Sequence, residues 1–252
     1  MRRLLALLVA AVQADDALPG VVLARHDTNA KHTFAELWQD AGNEQAWVVE
    51  ARRELHRTPE LLFDEVKTSA KIAQVLTALN VNYTTGWAVN TKRAALAAKG
   101  FVSGAGGTGI VAQIGTGQEP CVLLRADIDG LPIHEGIESP WKSEEPGKMH
   151  ACGHDGHAAM LLGAAAVLKR REGEIKGTIR LIWQPAEEGG AGGKRMVEEG
   201  VLSLAPKPSA AFGFHQWPFL PLGAIGGRPG PMLAATELFD IVVSGVGGHA
   251  AM

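Results

Sequence analysis

Four short apolar runs, at residues 109–114, 121–126, 178–183 and 210–214, constrain this chain more than any other feature. Each hands over to polar or glycine-rich sequence, as expected of central strands covered on both faces. Between the second and third lies 155–171, apolar almost all round, with Lys169, Arg170 and Arg171 in its last turn and Gly173 beyond. That pattern predicts a buried helix whose C-terminus is matched in charge to the helix dipole. Two further helices are predicted upstream. In 44–56, Trp47, Val48, Ala51 and Leu55 share one side before Thr58-Pro59, and in 65–79 the inward stripe is Ile72, Val75, Leu76 and Leu79. Strands alternating with helices predict an α/β sheet with flanking helices, and such sheets bind ligands at the carboxyl ends of their strands. Asp127 and Asp129, Glu187 and Glu188, and His215 all fall at such ends.

The glycine- and proline-rich 226–231 reads as a domain boundary, and 237–244 as a new alternating strand. The expected organisation is a catalytic domain over 44–228 and the start of a smaller domain over 229–252, which ends too soon to be complete, so the sequence reads as truncated. At the other end, Arg2-Arg3, the apolar 4–12 and the small residues of Val12-Gln13-Ala14 predict a secretory signal peptide over 1–14, followed by a polar leader over 15–43. This implies an ER-lumenal or secreted protein; a misassigned start or a transit peptide is the alternative. No segment is long and apolar enough to span a membrane. A formal charge of -3 without a basic block gives no footprint for nucleic acid.

The chemistry concentrates in His150-Ala151-Cys152-Gly153-His154-Asp155-Gly156-His157. A cysteine and a histidine two residues apart can face one metal if the backbone turns at Gly153, and thiolate plus imidazole suits zinc or a similar divalent ion. The bland alternative is a helix entry capped by Asp155 with solvated histidines. Cys121 opens an apolar strand, so the two cysteines, Cys121 and Cys152, are not expected to form a disulfide. Glu187 and Glu188 sit on a loop where one can ligate while the other moves protons for water whose pKa a metal has lowered towards ~7; a solvated carboxylate pair is the alternative. His215 alone would be a structural histidine, and gains weight only beside the other ligands. Asp127 is read as orienting a ligating imidazole, against a turn-forming role for Asp127 or Asp129 before Gly130 and Pro132. Two nucleotide-site decoys fail. The glycines of 104–109 have the dinucleotide spacing but precede a strand, and Gly192-Gly193-Lys194 is followed by Arg195 where a phosphate loop needs Ser or Thr.

Five ordered motifs, 52–61, 125–132, 149–162, 184–190 and 245–251, resemble the two-metal amidohydrolases that include aminoacylases and carboxypeptidases, most closely the subgroup of indole-3-acetyl-amino acid (auxin conjugate) and hippurate hydrolases. The resemblance implies a two-metal peptidase-like catalytic domain with a smaller α+β lid domain. It implies two divalent ions, manganese or zinc, with Cys152 bridging, His154 and Glu188 on one ion and His215 on the other. Glu187 falls at the general-base position. His249 corresponds to a lid histidine that contacts the substrate, in some members from a partner subunit, so a homodimer through the lid is implied. The expected reaction is amide hydrolysis of an N-acyl amino acid, either an auxin conjugate or a hippurate-like substrate. Two departures stand out. A further metal-binding histidine expected near the family's C-terminus does not occur by Met252, so the fragment is expected to be inactive by itself. Residues 90–107 also form a longer connection than the family uses. The competing expectation is a non-catalytic relative that kept the fold as a binding or interaction protein.

Overall fold

The computed structural model describes residues 34–232 apart from 99, 101 and 102, together with 239, 241, 242, 244–249 and 251. The expected signal peptide, most of the leader and part of the expected strand 237–244 lie outside the described residues. In chain order the elements are α1 (Phe34–Arg57), α2 (Val66–Ala78), β1 (Asn82–Val89), α3 (Arg93–Ala98), β2 (Gly106–Gly115), β3 (Cys121–Asp127), α4 (His154–Arg170), β4 (Thr178–Gln184), α5 (Gly192–Glu198) and β5 (Pro208–Gly213). Helix α1 begins ahead of the expected residue 44. Its first turns carry Asp40 and Glu44, which pair with Arg171 at 2.7 Å and Arg170 at 2.6 Å at the end of α4. Polar residues that read as a leader are therefore helical because the neighbouring helix supplies their countercharges.

The sheet is mixed, with strand order β1-β2-β4-β3-β5. Strands β3, β4 and β5 run parallel, β2 is antiparallel to β4, and β1 closes one edge antiparallel to β2. β1 carries no apolar run, and its register breaks twice, around Gly86 and the left-handed Ala88. An irregular edge strand of this kind has neither the periodicity nor the apolar content that betrays a central one. The 90–105 connection between β1 and β2 holds the short α3, whose Leu96 packs on the core below it.

β4 is buried along its whole length, and its two faces serve two cores. Ile179, Leu181 and Trp183 pack with Leu55, Ile72, Leu76, Leu161, Leu162 and Leu168 from α1, α2 and α4. Ile182 packs on the other side with Val111, Leu123, Phe63 and Met196 of α5. Helix α1 approaches α4 closely because Gly163 leaves room: a Cβ there would lie 2.8 Å from Val48 Cγ2. Arg180, almost fully buried, points its guanidinium at the carbonyls of Leu204, Ala205 and Pro206 at 3.1–3.2 Å. Those three bonds pin the turn that leads into β5.

Glu65, just before α2, is a second buried ionisable group with zero exposure. Its Oε1 accepts the backbone N–H of Phe63 and of Ala186, both at 2.9 Å, and its Oε2 accepts the Thr108 hydroxyl at 2.7 Å. Burial pushes its carboxyl from an ordinary 4.5 up to about 8, against the opposing hydrogen bond from Thr108. The folded chain therefore holds a proton that the unfolded chain releases, and its contribution to stability is lost as pH rises from 4.5 to about 8. Glu65→Gln keeps a carbonyl oxygen for both amides and cannot ionise. In urea titrations the variant is expected to gain on the parent across that window, with the difference constant at higher pH; a difference independent of pH contradicts the assignment.

Candidate metal centre

Because β3, β4 and β5 are parallel, their carboxyl ends share one edge of the sheet, and the segments that follow deliver Asp127 and Asp129, Glu187 and Glu188, and His215 to one place. Helix α4 begins there too. Gly153 adopts φ 91°, a left-handed turn open to glycine, and this turn places Cys152 and His154 on the same space, as their spacing predicted. Cys152 Sγ lies 3.3 Å from His215 Nε2. His154 Nε2 lies 3.8 Å from Glu188 Oε1, 3.9 Å from Glu187 Oε2 and 3.6 Å from Asp127 Oδ2. Donor atoms of Cys152, His154 and His215, and of His154, Glu187 and Glu188, converge within 4.8 Å in each set. The two cysteines are both free.

The hydrogen bonds decide which imidazole nitrogens are free. His154 Nδ1 faces the Asp129 carbonyl at 2.9 Å and carboxylate at 3.2 Å, both acceptors, so in the neutral ring Nδ1 carries the proton and Nε2 the lone pair. That Nε2 and Glu188 Oε1 are both buried without a hydrogen-bond partner. His215 Nδ1 is likewise used on the Gln216 carbonyl at 2.7 Å, leaving Nε2 towards Cys152. His157 differs. Its Nδ1 bonds Asp127 at 2.6 Å and its Nε2 accepts the Gln216 N–H at 2.9 Å, so it has no lone pair left for a cation despite lying in the cluster. Two buried polar atoms that face each other without a hydrogen bond are costly, and a divalent cation can take the place of the second proton that the surrounding carboxylates draw onto Nε2. The residues present fit a divalent ion.

The electrostatics agree. Burial opposes charge on His154, but Asp129, Asp127 and Glu188 outweigh it and push its pKa up to about 9. Burial first, then Glu188, Glu187 and Asp127, push the Cys152 thiol up to about 12. A pocket that attracts protons this strongly attracts a divalent cation by the same field, and ligation would deprotonate the thiol outright. Asp127, despite its burial, is held near 2 by His157, Arg125 and His154. Burial and the adjacent Glu188 raise Glu187 above the usual carboxylate range.

The distribution of supporting roles differs from the sequence expectation in two places. Asp127 holds His157 and takes Arg125 at 2.6 Å, whereas Asp129 fixes the Nδ1 of His154. Asp129 also accepts the Glu188 N–H at 2.9 Å, so one carboxylate orders two of the candidate ligands. Asp155 does not cap α4. Its carboxylate turns beneath the helix to Arg52 at 2.7 Å and His56 at 2.8 Å on α1, cations that outcompete a backbone cap. His150 is buried, with burial lowering its pKa to about 4, and joins no ligand set. His249 is exposed, accepts the Ala251 N–H at 3.2 Å and is not brought to the cluster.

Gln216 is the residue that sequence reasoning missed most completely. Its side chain fits the groove that two glycines leave: a Cβ on Gly153 would lie 2.4 Å from its Oε1, and one on Gly156 2.3 Å from its Nε2. A glutamine beside a histidine gives no signal by itself, but the two glycines inside a histidine cluster do mark a close approach.

The sequence profile of Peptidase family M20/M25/M40 matches residues 123–247. The IAA-amino acid hydrolase ILR1-like 4 of Arabidopsis thaliana is 46% identical over 206 residues, 82% of this chain and 42% of that protein. Residues 123–247 belong to the M20/M25/M40 peptidase family. An N-acetylcysteine deacetylase of Bacillus subtilis is 41% identical over 204 residues, 81% of this chain and 48% of its own length. Among solved structures, a Bacillus subtilis protein described as a dinuclear metal binding peptidase from M20 family superposes with a TM-score of 0.60 at 39% identity, over 72% of this chain and 46% of that one. The chain thus spans less than half the length of these curated relatives. The mixed sheet with flanking helices is the M20 catalytic-domain fold, and the three segments that converge at His154 lie inside the matched region.

Asp129→Ala leaves the backbone carbonyl on His154 Nδ1 but removes the carboxylate that shares that proton and accepts the Glu188 N–H. It is expected to weaken Zn2+ binding by about 10–100-fold, as loss of a ligand's supporting partner does, measured by competition with a chromophoric chelator; undiminished affinity would show that Asp129 does not orient the site.

Proposed function

We propose that this protein hydrolyses the amide bond of N-acyl amino acids, with auxin conjugates the leading substrates and hippurate-like conjugates next. The observation that carries the reading is the pair of buried polar atoms without a hydrogen-bond partner, His154 Nε2 and Glu188 Oε1, beside Cys152, His215 and Glu187. Cys152, His154, Glu188 and His215 would hold two divalent cations. The mixed sulfur, nitrogen and oxygen donors suit zinc or manganese. When bound, such ions supply Lewis acidity that polarises a carbonyl and brings the pKa of water towards ~7.

The chain's own residues supply the proton handling. Glu187 is 42% exposed, the most open of the converging carboxylates. Its raised pKa suits a base that takes a proton from the attacking water and returns it to the leaving amine. His154 and Glu188 stay fixed through Asp129, so Glu187 works against a rigid background. His249 is assigned to substrate contact from the lid region, from its own chain or from a second copy in a homodimer. The substrate class draws support from the hydrolase and deacetylase names of the relatives. A secretory location draws support from residues 1–14, and the division at 228/229 from the glycine- and proline-rich stretch 226–231 around it. Among the described residues no helix is long and apolar enough to cross a membrane.

The test is a panel of indole-3-acetyl, benzoyl and acetyl amino acids offered to the full protein loaded with Mn2+ or Zn2+. Release of the free amino acid is expected, and Glu187→Gln is expected to lower kcat by about 10²–10⁴-fold with metal content unchanged. Retained turnover in that variant would remove Glu187 from the role of base.

A further inference from the structure

We infer that Glu65 is a positioning residue for the Ala186-Glu187-Glu188 turn, acting on Glu187 through the backbone from beneath the site. The inference rests on the base role proposed for Glu187. Its grounds are geometric. Ala186 and Phe63 are, among the described residues, two of five non-glycine positions with positive φ, at 53° and 60°, a conformation that L-residues adopt only when their surroundings impose it. Their N–H groups converge on one atom, Glu65 Oε1, each at 2.9 Å. Oε2 is secured by the Thr108 hydroxyl on β2, so the carboxyl is referenced to the sheet.

The turn is gripped again two residues on, where Asp129 Oδ2 accepts the Glu188 N–H. Glu187 thus sits between two fixed peptides, one held from below by Glu65 and one from the site by Asp129. Its side chain, with an open face, owes its direction to those two grips. Close packing leaves the turn no slack: a Cβ on Gly190 would meet Ala186 Cβ at 2.6 Å and the Phe63 ring at 2.9 Å. Glu65 does not touch the cluster and belongs to none of the converging donor sets. It acts only through strain that it holds in place.

Three variants distinguish this role from a general contribution to folding. Glu65→Gln retains Oε1, and its amide can donate to Thr108, so kcat, KM and Zn2+ affinity are expected within about twofold of the parent. Glu65→Leu leaves the Phe63 and Ala186 amides unpaired. Hydrogen exchange at Ala186 is expected to speed up and kcat to fall, each by about tenfold or more, as loss of a buried partner implies, with KM changed by less than about threefold. Adding Ala186→Gly to Glu65→Leu removes the left-handed penalty and is expected to restore kcat by about threefold or more, a non-additive result that mere destabilisation does not give. An unaltered Ala186 amide in folded Glu65→Leu, a Glu65→Gln as impaired as Glu65→Leu, or strict additivity would each overturn the inference. If Glu65→Leu fails to fold, Thr108→Val carries the test: exchange at Ala186 about threefold faster supports the inference, and unchanged exchange overturns it. Exchange and Zn2+ affinity are read without substrate, so they decide the role of Glu65 even if the parent hydrolyses none of the conjugates.

Discussion

Everything at the carboxyl edge of the sheet depends on where the proton of His154 sits. Once Asp129 has taken Nδ1–H, Nε2 is the nitrogen that faces Glu188, and both atoms are buried without a hydrogen-bond partner. The surrounding carboxylates draw a proton onto Nε2 and would draw a divalent cation there by the same attraction. Burial first, and then Glu188, Glu187 and Asp127, hold the Cys152 thiol protonated, so His154, Glu188 and Cys152 are each prepared by their surroundings for a positive charge. The arrangement is rigid because one residue, Asp129, serves both the histidine and the glutamate backbone.

Much of this was legible in the sequence. Short central strands, being apolar on both faces, announce themselves, and β2 to β5 stand close to where the pattern puts them. Ligand-bearing residues at strand ends follow from the parallel part of the sheet, and the Cys152-Gly153-His154 turn follows from the glycine. The edge strand β1 was not legible, since its residues face solvent and its register breaks at Gly86 and Ala88. Nor was the first part of α1, where Asp40 and Glu44 pair with Arg171 and Arg170 across the interface with α4. Local pattern carries no information about partners more than a hundred residues away.

The supporting shell was read less well than the ligands, for a physical reason. Asp127 and Asp129 are two residues apart on an extended segment that is just leaving the strand, and sequence alone gives both the same environment. Only the fold shows that one meets His157 and Arg125 and the other meets His154 and the Glu188 amide. Asp155 likewise looks like a cap because it begins a helix, yet Arg52 and His56 lie beneath it. Which acceptor a buried carboxylate finds is set by tertiary packing, and the same holds for Glu65 and Gln216.

The position of β5 has a consequence for how the site comes together. Among the described residues this strand is an edge of the sheet, half exposed along its length, and its register against β3 slips at Cys121. His215 follows it directly, so the imidazole faces Cys152 by way of the pairing of β5 with β3. The other candidate ligands sit at the entry to α4 and after the fully buried β4, whereas His215 hangs on an edge, so loosening of the β5 pairing alone would part His215 from Cys152.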